Sequence, residues 1–492
     1  RFFPQSSLAM SVVTVMNPRT GESDFSFTST TTAEIGTIVA GCKEAQKAWA
    51  AAGVQHRVEV LGQWTGEIKK RMPEIVAALT ADTGRVAMCN TELGALFGFI
   101  AQWSRLGPML LGAEKPQQTA KTPGLGHLSH KNQHVPLGVV ANISPWNYPI
   151  ILSFLDTIPA LVAGCAVVLK PSETTPRWTV PLFESVAAVP ELAGVFRHVM
   201  GPGTEVGEPL ISAVDAVVLT GSTAVGRIVA VQCAQRLIPA FLELGGSDPA
   251  VVLEGADVKV AATSCLRGAV VSTGQSCMSV ERCYVHQGIY DEFVAEVTRQ
   301  AQACQTNKEE VDVGQVGPFI DRRQAAKVKE QLDDAVAQGA TIVCGGVVEE
   351  KGGLYMNATV VTGVTNSMKL MQEETFGPVL PIAPFTTVEE AVNLANDSAY
   401  GLSAAVYGPA AEAEAVAAVL NAGVVCINDA ALHAYMMEAE NEAYGSSGYG
   451  RSRMGVSGLM RYLRTKAMIF NNSGATRDIV AAGEAGKKGQ AL

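Results

Sequence analysis

Five short runs of apolar residues in the first half of the chain constrain its fold most strongly. They read GVVANIS, CAVVLKP, VFRHVMG, AVVLTGS and FLELGG, and they alternate with turns and helical segments. Continuous apolar strands of this length are typical of a parallel sheet that helices cover on both faces. The pattern predicts an α/β fold. A second α/β series begins near Ala250 and includes a predicted helix at about residues 322–338 and the predicted strand TIVCGG.

The length of 492 residues exceeds the usual size of one hydrophobic core, so we expect two or more domains. An amphipathic helix is predicted from Val58 to Leu79, where apolar residues recur at helical spacing. Residues 114–135 are polar and predict a connector that can form a hairpin.

The composition is that of a globular protein, with 48% hydrophobic and 17% charged residues and a formal net charge of −10. A negatively charged chain with only short basic pairs argues against nucleic acid as a partner. The ten cysteines include no CxxC pair and no Cys/His spacing suited to zinc, so we expect no metal site. Most of them lie among small apolar residues, which favours reduced thiols in a reducing compartment.

One stretch without formal charge, Val135–Leu155, is long enough to cross a bilayer. Its three prolines are expected to break any helix there, because proline interrupts helical hydrogen bonding, and its two asparagines would be costly in lipid, so we expect no membrane helix. The stretch instead predicts a buried strand followed by a functional turn.

The chain begins with RFFPQSSLAM, which is basic, contains serine and lacks acidic residues. This segment is either the tail of a transit peptide or an extension before a true start at Met10. The compartment is accordingly the cytoplasm or an organellar matrix such as that of the mitochondrion. Residues 473–492 are rich in Gly, Ala and Lys and predict a flexible tail.

Two strand ends are candidate binding positions. In LTGSTAVGRIV, Gly221 and Gly226 bracket a turn that follows a strand and opens a helix, although the turn lacks the G-x-G-x-x-G pattern. The turn is either an ordinary strand-to-helix connection or a pyrophosphate site at a helix N-terminus. Lys170 and Glu173 follow another strand, at the edge where ligands of open α/β sheets bind, and an acid there can accept hydrogen bonds from ribose hydroxyls.

Three residues are candidates for chemistry, and each also has a structural interpretation. Glu243 lies in an apolar strand and is either paired or a general base with a raised pKa. Asn147, between two prolines, is either a turn former or a rigid donor to an oxyanion. Cys277 has small and polar neighbours in STGQSCMS and is either a core thiol or a nucleophile.

Six motifs in a fixed order connect these residues. PWNYP, VLKPSE, GSTAVG, LELGGSDP, GQSCMSVER and EETFGPVLP together closely resemble the aldehyde dehydrogenase superfamily, over about residues 17–471. Glu243 and Cys277 stand 34 residues apart (277 minus 243), as the pattern of that family requires. The resemblance implies a Rossmann-like parallel-sheet cofactor domain and a second α/β catalytic domain.

The resemblance also implies a role for each candidate. Cys277 would attack the aldehyde carbon, and Asn147 would stabilise the tetrahedral thiohemiacetal together with the backbone N–H of Cys277. Hydride would pass to the nicotinamide of NAD(P) and leave a thioester. Glu243 would activate water to release the acid, and its presence argues against acyl transfer to coenzyme A.

The resemblance places the cofactor at a defined set of positions. Lys170 and Glu173 would bind the adenosine ribose, Ser222 and its helix the pyrophosphate, and Glu374 and Phe376 the nicotinamide side. NAD is favoured by Glu173, with NADP as the alternative. The remaining cofactor positions are Ile143, Pro145, Trp146, Ser172, Gly221, Gly226, Leu244 and Gly245.

The resemblance does not name the substrate. The family often has Phe-Gly-Gly-x-Lys before SGYGR, whereas Glu442-Ala443 and Gly445 stand there in this chain. The expected channel is mostly apolar, which favours an aliphatic or aromatic hydrophobic aldehyde, and no arginine is an obvious partner for the carboxylate of a semialdehyde. The channel positions are Tyr148, Leu152, Leu155, Val271, Met278, Ala431 and His433.

The expected domains are an NAD-binding domain (1–122 and 138–245), a catalytic domain (246–464) and a β extension (123–137 and 465–472). In relatives the extension pairs between subunits, so a homodimer or homotetramer is expected. A semialdehyde dehydrogenase and a Cys277-dependent ester or thioester hydrolase are the alternatives for the function. A non-catalytic protein on this scaffold is disfavoured, because Cys277, Glu243 and Asn147 are all present.

Overall fold

The computed structural model describes residues 11–112, 116–123 and 125–474. Residues 1–10, on which the transit-peptide and extension hypotheses rest, lie outside these ranges, and so do all but two residues of the predicted tail. Within them the chain forms two large, mainly parallel sheets, each covered by helices. The predicted α/β class is confirmed.

The bounds of the elements are as follows. The strands are β1 (Val12–Met16), β2 (Ser23–Thr28), β3 (Gln118–Thr119), β4 (Leu128–Pro136), β5 (Val139–Ile143), β6 (Ala166–Lys170), β7 (Phe196–His198), β8 (Ala216–Thr220), β9 (Ala240–Glu243), β10 (Asp248–Val252), β11 (Val280–His286), β12 (Thr341–Cys344), β13 (Val348–Lys351), β14 (Gly353–Met356), β15 (Thr359–Thr362), β16 (Val379–Phe385), β17 (Ser403–Tyr407), β18 (Val424–Ile427), β19 (Gly448–Tyr449) and β20 (Leu463–Asn471). The helices are α1 (Thr32–Ala51), α2 (Gly53–Thr83), α3 (Ala87–Leu111), α4 (Pro149–Ala163), α5 (Thr179–Ala187), α6 (Pro190–Val195), α7 (Gly203–Ala213), α8 (Thr223–Arg236), α9 (Val258–Val270), α10 (Tyr290–Ala303), α11 (Arg322–Ala337), α12 (Lys369–Gln372), α13 (Val388–Asn396), α14 (Ala410–Ala417) and α15 (Ser457–Met460).

The first large sheet has the order β19-β9-β8-β5-β6-β7. Its five strands β5 to β9 are parallel to one another. These are the five apolar runs of the sequence. Residues of β5, β6 and β8 are almost all buried, because helices pack on both faces of the sheet. The short strand β19 returns from far along the chain and pairs antiparallel with β9.

The second large sheet has the order β12-β15-β16-β11-β10-β17-β18, and all of its pairs are parallel except β12 with β15. It contains the predicted strand TIVCGG as β12, preceded by the predicted helix as α11. Because β9 ends at Glu243 and β10 begins at Asp248, only a short segment joins the two sheets.

A three-stranded antiparallel sheet, β20-β4-β3, contains the polar connector and the strand AMIFNN. Its long pair runs from Leu463 opposite Pro136 to Asn471 opposite Leu128. The domain boundaries given above stay a prediction, since β19 lies within the range assigned to the catalytic domain but pairs with the first sheet.

The uncharged stretch contains β5, a turn, and the first half of α4. The expectation that proline excludes a helix there is wrong beyond Pro149, because proline is well tolerated at the first position of a helix. Among the described residues, no helix combines the length and the apolarity that crossing a membrane requires. All ten cysteines are free thiols, and the described residues include no group of side chains arranged to hold a metal ion.

Candidate active site

Cys277 lies in a tight segment between α9 and β11. Three residues before it, Ser272, Thr273 and Gly274, have φ values of 54°, 65° and 65°, in the left-handed region that only glycine adopts without strain. The Thr273 hydroxyl donates to the backbone oxygen of Gly317 at 3.0 Å, which helps to hold this conformation. The strained turn fixes the direction in which the following residues leave α9.

The side chain of Gln275 anchors the same segment from the other side. Its Oε1 accepts from the backbone N–H of Ile320 at 2.9 Å, and its Nε2 donates to the Pro318 oxygen at 3.2 Å. Cys277 itself is half-buried, whereas Cys283 on β11 is fully buried. The two thiols of STGQSCMSVERC therefore differ in access, with Cys277 the accessible one.

The end of β9 packs directly on the thiol segment. Glu243 is the last residue of that strand, and Gly246 lies so close to the segment that an added Cβ would overlap the backbone oxygen of Cys277. A side chain at residue 246 would push the two segments apart. The glutamate and cysteine motifs are thus neighbours in space.

Asn147 is buried in the turn between β5 and α4. Its Nδ2 donates to the backbone oxygen of Gln275 at 3.0 Å, which brings the amide to the thiol segment. Its own backbone oxygen accepts from Arg85 Nη2 at 2.6 Å. Glu92 accepts the first N–H groups of α4, from Ile150 at 2.8 Å and Ile151 at 3.2 Å, and so fixes the helix start next to Asn147.

The thiol of Cys277 is protonated at neutral pH in this environment. Burial raises its pKa to about 12, and the negative charges of Glu374, Asp248 and Glu243 act in the same direction. Arg453 opposes them. Attack by sulfur therefore requires removal of the thiol proton within the site.

Glu243 is half-buried and faces two arginines. Its Oε1 lies 3.8 Å from Arg453 Nε and 3.9 Å from Arg461 Nη1. Burial raises the pKa of Glu243, the two guanidinium groups oppose the rise, and the carboxylate of Asp156 adds to it. The net direction of the pKa is upward, which is compatible with the general-base role predicted for Glu243.

The carboxyl end of β6 carries Lys170 and Glu173. The buried Lys170 Nζ donates to the Pro171 oxygen at 2.9 Å and to Glu173 Oε2 at 3.0 Å. Burial raises the pKa of Glu173, but Lys170 outweighs it, so the net direction is downward and the carboxylate stays ionised. More than a third of the Glu173 side chain is exposed, so the carboxylate can accept from a ligand.

Helix α8 begins beside the same edge of the sheet. Ser222 is its N-cap residue, and its hydroxyl accepts from the Val225 N–H at 3.4 Å. The other N–H groups of a first turn have no acceptor within the helix and can bind an anion. Gly226 allows close packing, because a Cβ there would overlap the side chain of Leu244.

Glu374 and Phe376 lie on the loop before β16, opposite these strand ends. Glu374 Oε1 accepts from the Gly246 N–H at 3.0 Å, and the Phe376 ring packs edge-on against Trp146, with centroids 5.4 Å apart. The buried carboxylate of Glu281 holds the loop by accepting from the Phe376 N–H at 2.7 Å. The structure thus brings the turn after β5, the end of β9 and this loop together.

The remaining predicted positions are placed as follows. Ile143 ends β5, Pro145 is half-buried in the turn after it, and Ser172 is buried beyond β6. On α4, Leu152 and Leu155 are buried; Tyr148 and Met278 are half-buried and Val271 is partly exposed. The side chain of His433 lies outside what the structure describes. The predicted cofactor position Gly221 and the predicted channel position Ala431 are half-buried.

Sequence patterns missed the charged residues behind the site. Asp156 is a single charge in the otherwise apolar helix α4, and that isolation is the signal that could have revealed a buried ion pair. Arg453 and Arg461 lie in a polar segment and carry no such signal. Arg85 and Glu281 were missed for the same reason.

Comparisons with known proteins agree on one family. The profile of the Aldehyde dehydrogenase family matches residues 4–468. The chain is 44% identical to the solved structure of "Putative Aldehyde Dehydrogenase PutA" from Anabaena variabilis, with a TM-score of 0.92 and coverage of 95% of this chain and 99% of that one.

Two further proteins show how broad the similarity is. A betaine aldehyde dehydrogenase from Staphylococcus aureus, solved in complex with NAD+, is 30% identical, with a TM-score of 0.87 over 95% of this chain and 92% of that one. The succinate-semialdehyde dehydrogenase [NADP(+)] GabD of Escherichia coli is 32% identical over 93% of this chain and 94% of its own length.

Proposed function

This chain belongs to the aldehyde dehydrogenase family, and on that premise we propose that it oxidises a hydrophobic aldehyde to the free carboxylic acid. It is an NAD(P)-dependent aldehyde dehydrogenase. The observation that carries the proposal is the contact between the glutamate and cysteine motifs, since Gly246 packs on the backbone oxygen of Cys277 and the Asn147 amide reaches the Gln275 oxygen.

The residues present fit a dinucleotide. The first turn of α8 offers N–H groups to the pyrophosphate, and Glu173 offers an exposed carboxylate to the adenosine ribose. Glu374 and Phe376 stand on the nicotinamide side. An ionised Glu173 disfavours a 2′-phosphate, so we propose a preference for NAD over NADP. The chemistry supplied by the bound nicotinamide is acceptance of hydride from the adduct on Cys277.

Cys277 and Asn147 carry the first half of the reaction. The thiol of Cys277 gives its proton to a water molecule, and the thiolate sulfur attacks the aldehyde carbon to form a tetrahedral thiohemiacetal with a negatively charged oxygen. The Asn147 amide and the Cys277 backbone N–H donate to the oxyanion. The hydrogen bonds to Gln275 and Arg85 hold Asn147 in place before substrate arrives, which is the preorganisation that oxyanion stabilisation needs.

Glu243 carries the second half. Its carboxylate takes a proton from water, the resulting hydroxide adds to the thioester carbonyl, and the C–S bond breaks to release the carboxylic acid and regenerate Cys277. The arginines 3.8 and 3.9 Å away keep the carboxylate available in ionised form.

We base the proposed substrate class on the predicted channel residues. Leu152 and Leu155 bury apolar side chains on α4, and Met278 follows the nucleophile directly. An aldehyde with an aliphatic or aromatic tail loses apolar surface to water on entering such a channel, whereas a second carboxylate would be desolvated there.

A semialdehyde is the second candidate, and Arg85 is the observation that favours it. Among the described residues its Nε and Nη1 are buried without a hydrogen-bond partner, and its guanidinium lies 5.3 Å from the centre of the Tyr148 ring. Each of these two atoms is an unused donor from which a carboxylate oxygen could accept. The similarity to the GabD enzyme points the same way.

A substrate panel separates the two candidates. Hexanal, benzaldehyde and succinate semialdehyde are each assayed with NAD and with NADP by the absorbance of the reduced cofactor. We expect kcat/KM with hexanal to exceed that with succinate semialdehyde by about a hundredfold, because a buried unpaired carboxylate is costly. If succinate semialdehyde is preferred and Arg85→Met removes that preference while Arg85→Lys keeps it, the hydrophobic assignment is wrong.

Two substitutions test the catalytic assignment. Cys277→Ala abolishes turnover while NAD still binds. Glu243→Gln gives one burst of NADH and then stalls as the acyl-enzyme, because hydride transfer precedes hydrolysis. Steady turnover by Cys277→Ala, or normal hydrolysis by Glu243→Gln, contradicts the corresponding role.

We also propose a homo-oligomer and a reducing compartment. β20 is an edge strand of the small sheet, with Ile469 73% exposed, and an edge of this kind pairs readily with another chain. Light scattering of the intact chain is expected to give a dimer or tetramer, and a monomer contradicts the proposal. The ten free thiols support a compartment that keeps them reduced.

A further inference from the structure

A buried group of charged residues lies directly behind Glu243. It consists of Asp156 on α4 together with Arg453, Arg461 and Tyr462 from the C-terminal segment, and we call it the Asp156 cluster. Asp156 binds Arg453 through one carboxylate oxygen and Arg461 through the other, and it accepts from the Tyr462 hydroxyl at 3.0 Å. Asp156, Arg461 and Tyr462 are almost fully buried, so these charges depend on one another rather than on water.

Both guanidinium groups bind Asp156 and lie 3.8 and 3.9 Å from Glu243 Oε1. Arg453 Nη2 is fixed by Asp156 and also donates to the Thr220 hydroxyl at 2.9 Å. The Nε atoms of Arg453 and Arg461 are buried without a hydrogen-bond partner among the described residues, although Arg453 Nε lies only 3.8 Å from Glu243 Oε1. Arg453 and Arg461 therefore form ion pairs of 3.8 and 3.9 Å with Glu243 that are too long for hydrogen bonds.

The charges around Glu243 balance. The charged and titratable groups facing it among the described residues are Arg453 and Arg461, Asp156 on α4 and the thiol of Cys277. Two positive charges stand against the negative charges of Asp156 and Glu243. Removing either sign would change the proton affinity of Glu243 in a predictable direction.

We propose that Asp156 is a positioning residue for the general base, because it holds Arg453 and Arg461 away from Glu243 and leaves the carboxylate of Glu243 free to take a proton from water. The inference rests on the proposed function, since it presupposes that Glu243 activates water. Without Asp156 the two arginines would close on Glu243 as an ion pair. A carboxylate in that pair is a weaker base and is turned away from water.

A second buried cluster provides a matched control. Asp82 on α2 binds Arg177 Nη1 at 2.7 Å, and Asp24 on β2 binds the other side of the same guanidinium. We call these three residues the Asp82 cluster. Asp82→Asn removes a buried carboxylate of the same kind, but the hydrogen bonds and ion pairs of Asp82 include none to Glu243 or Cys277.

The experiment follows decay of the acyl-enzyme after the NADH burst, with hexanal and NAD as probes, as a function of pH. The rate rises with pH as Glu243 ionises. Asp156→Asn is expected to slow hydrolysis about tenfold on the plateau that the rate reaches at high pH. It is also expected to move the acid limb, which is the pH range over which the rate rises, about one pH unit lower, because both arginines then stabilise ionised Glu243. Arg453→Gln is expected to move the limb about one unit higher, because a positive charge is lost.

The opposite directions of these two shifts are the decisive readout. A structural role alone predicts parallel losses of burst amplitude and rate, with the acid limb unmoved, as in Asp82→Asn. Unmoved limbs in both Asp156→Asn and Arg453→Gln overturn the inference. Should Asp156→Asn fail to fold, the upward shift in Arg453→Gln still decides. If Glu243→Gln hydrolyses normally, the base assignment itself fails, which is a different result from an unmoved limb in an enzyme that needs Glu243.

Discussion

The Asp156 and Asp82 clusters are built from the same groups and are bonded differently. Each places buried aspartate against arginine. In the Asp82 cluster, Arg177 binds two carboxylates and the Val15 oxygen, and Asp82 also accepts from the backbone N–H of Arg177 at 2.8 Å. In the Asp156 cluster, two arginines share one aspartate, and each keeps a buried Nε without a hydrogen-bond partner among the described residues.

If the proposal for Asp156 holds, the difference teaches that remaining hydrogen-bonding capacity, rather than a buried charge, marks a functional ion pair. The Asp82 cluster joins β2, the end of α2 and the segment after β6, and its bonds satisfy one another. In the Asp156 cluster, Arg453 Nε lies 3.8 Å from the carboxylate of Glu243, the proposed general base. A structural ion pair is stable when its hydrogen-bonding groups are all satisfied. A titrating catalytic group instead needs a charged neighbour that is near it but not hydrogen-bonded to it.

The largest expected effect is a loss of the free energy of unfolding when an arginine is removed from either cluster. Arg177→Met leaves the buried Asp82 without its arginine, and we expect it to lower the free energy of unfolding by about 3–5 kcal/mol. Arg461→Met removes one of the two arginines of Asp156 and leaves Arg453, so its loss is expected to be smaller. Urea denaturation measures this loss. Only Arg461→Met is expected to move the acid limb of hydrolysis. A shift of that limb in Arg177→Met would erase the distinction between the clusters.

A smaller effect is a loss of kcat/KM without a change in the pH dependence of acyl-enzyme hydrolysis. Asn147 belongs to neither cluster, and Asn147→Ala is expected to lower kcat/KM about 10²–10³-fold by removing one oxyanion donor. The pH dependence of acyl-enzyme hydrolysis should keep its midpoint, because no charge near Glu243 changes. An unchanged kcat/KM removes Asn147 from the oxyanion role.

The smallest effect concerns the thiol. Since the pKa of Cys277 is raised to about 12, its alkylation by iodoacetamide should rise about tenfold per pH unit between neutral and mildly alkaline pH, with no plateau. In Asp156→Asn, Arg453 is no longer neutralised and attracts the thiolate, so alkylation should be about threefold faster at a given pH. In Asp82→Asn it should be unchanged.

Peptide mapping by mass spectrometry follows Cys277 separately, with half-buried Cys304 as an internal control. Equal acceleration of both thiols would indicate general loosening of the protein rather than an electrostatic effect. A plateau near neutral pH in the unmodified chain would contradict the raised pKa.

Much of the fold was predictable because it rests on local patterns. The five apolar runs are β5 to β9, and the helical spacing at 58–79 lies within α2, which extends over Gly53–Thr83. The prediction that proline breaks any helix in the uncharged stretch is wrong at Pro149, because proline at the first position of a helix favours its start. The pairing of β19 with β9 was also missed, since a two-residue strand carries no pattern.

The candidate site was predictable to the extent that its residues stand in short motifs. Motif order singled out Cys277, Glu243 and Asn147, and the structure places all three around the thiol segment, while their roles remain proposals. Motifs did not show the strained turn at Ser272–Gly274 or the anchoring of Phe376 by Glu281. These depend on contacts between segments that no local pattern links.

By itself the sequence determined the α/β class and the family and singled out candidates for the reactive groups, because apolar runs and short motifs are local patterns that do not depend on the rest of the fold. Only the tertiary structure decided which charges surround Glu243. Asp156 meets Arg453 and Arg461 across sequence separations of 297 and 305 residues. Electrostatic energy depends on distance and burial in space, and neither can be read from the order of residues along the chain.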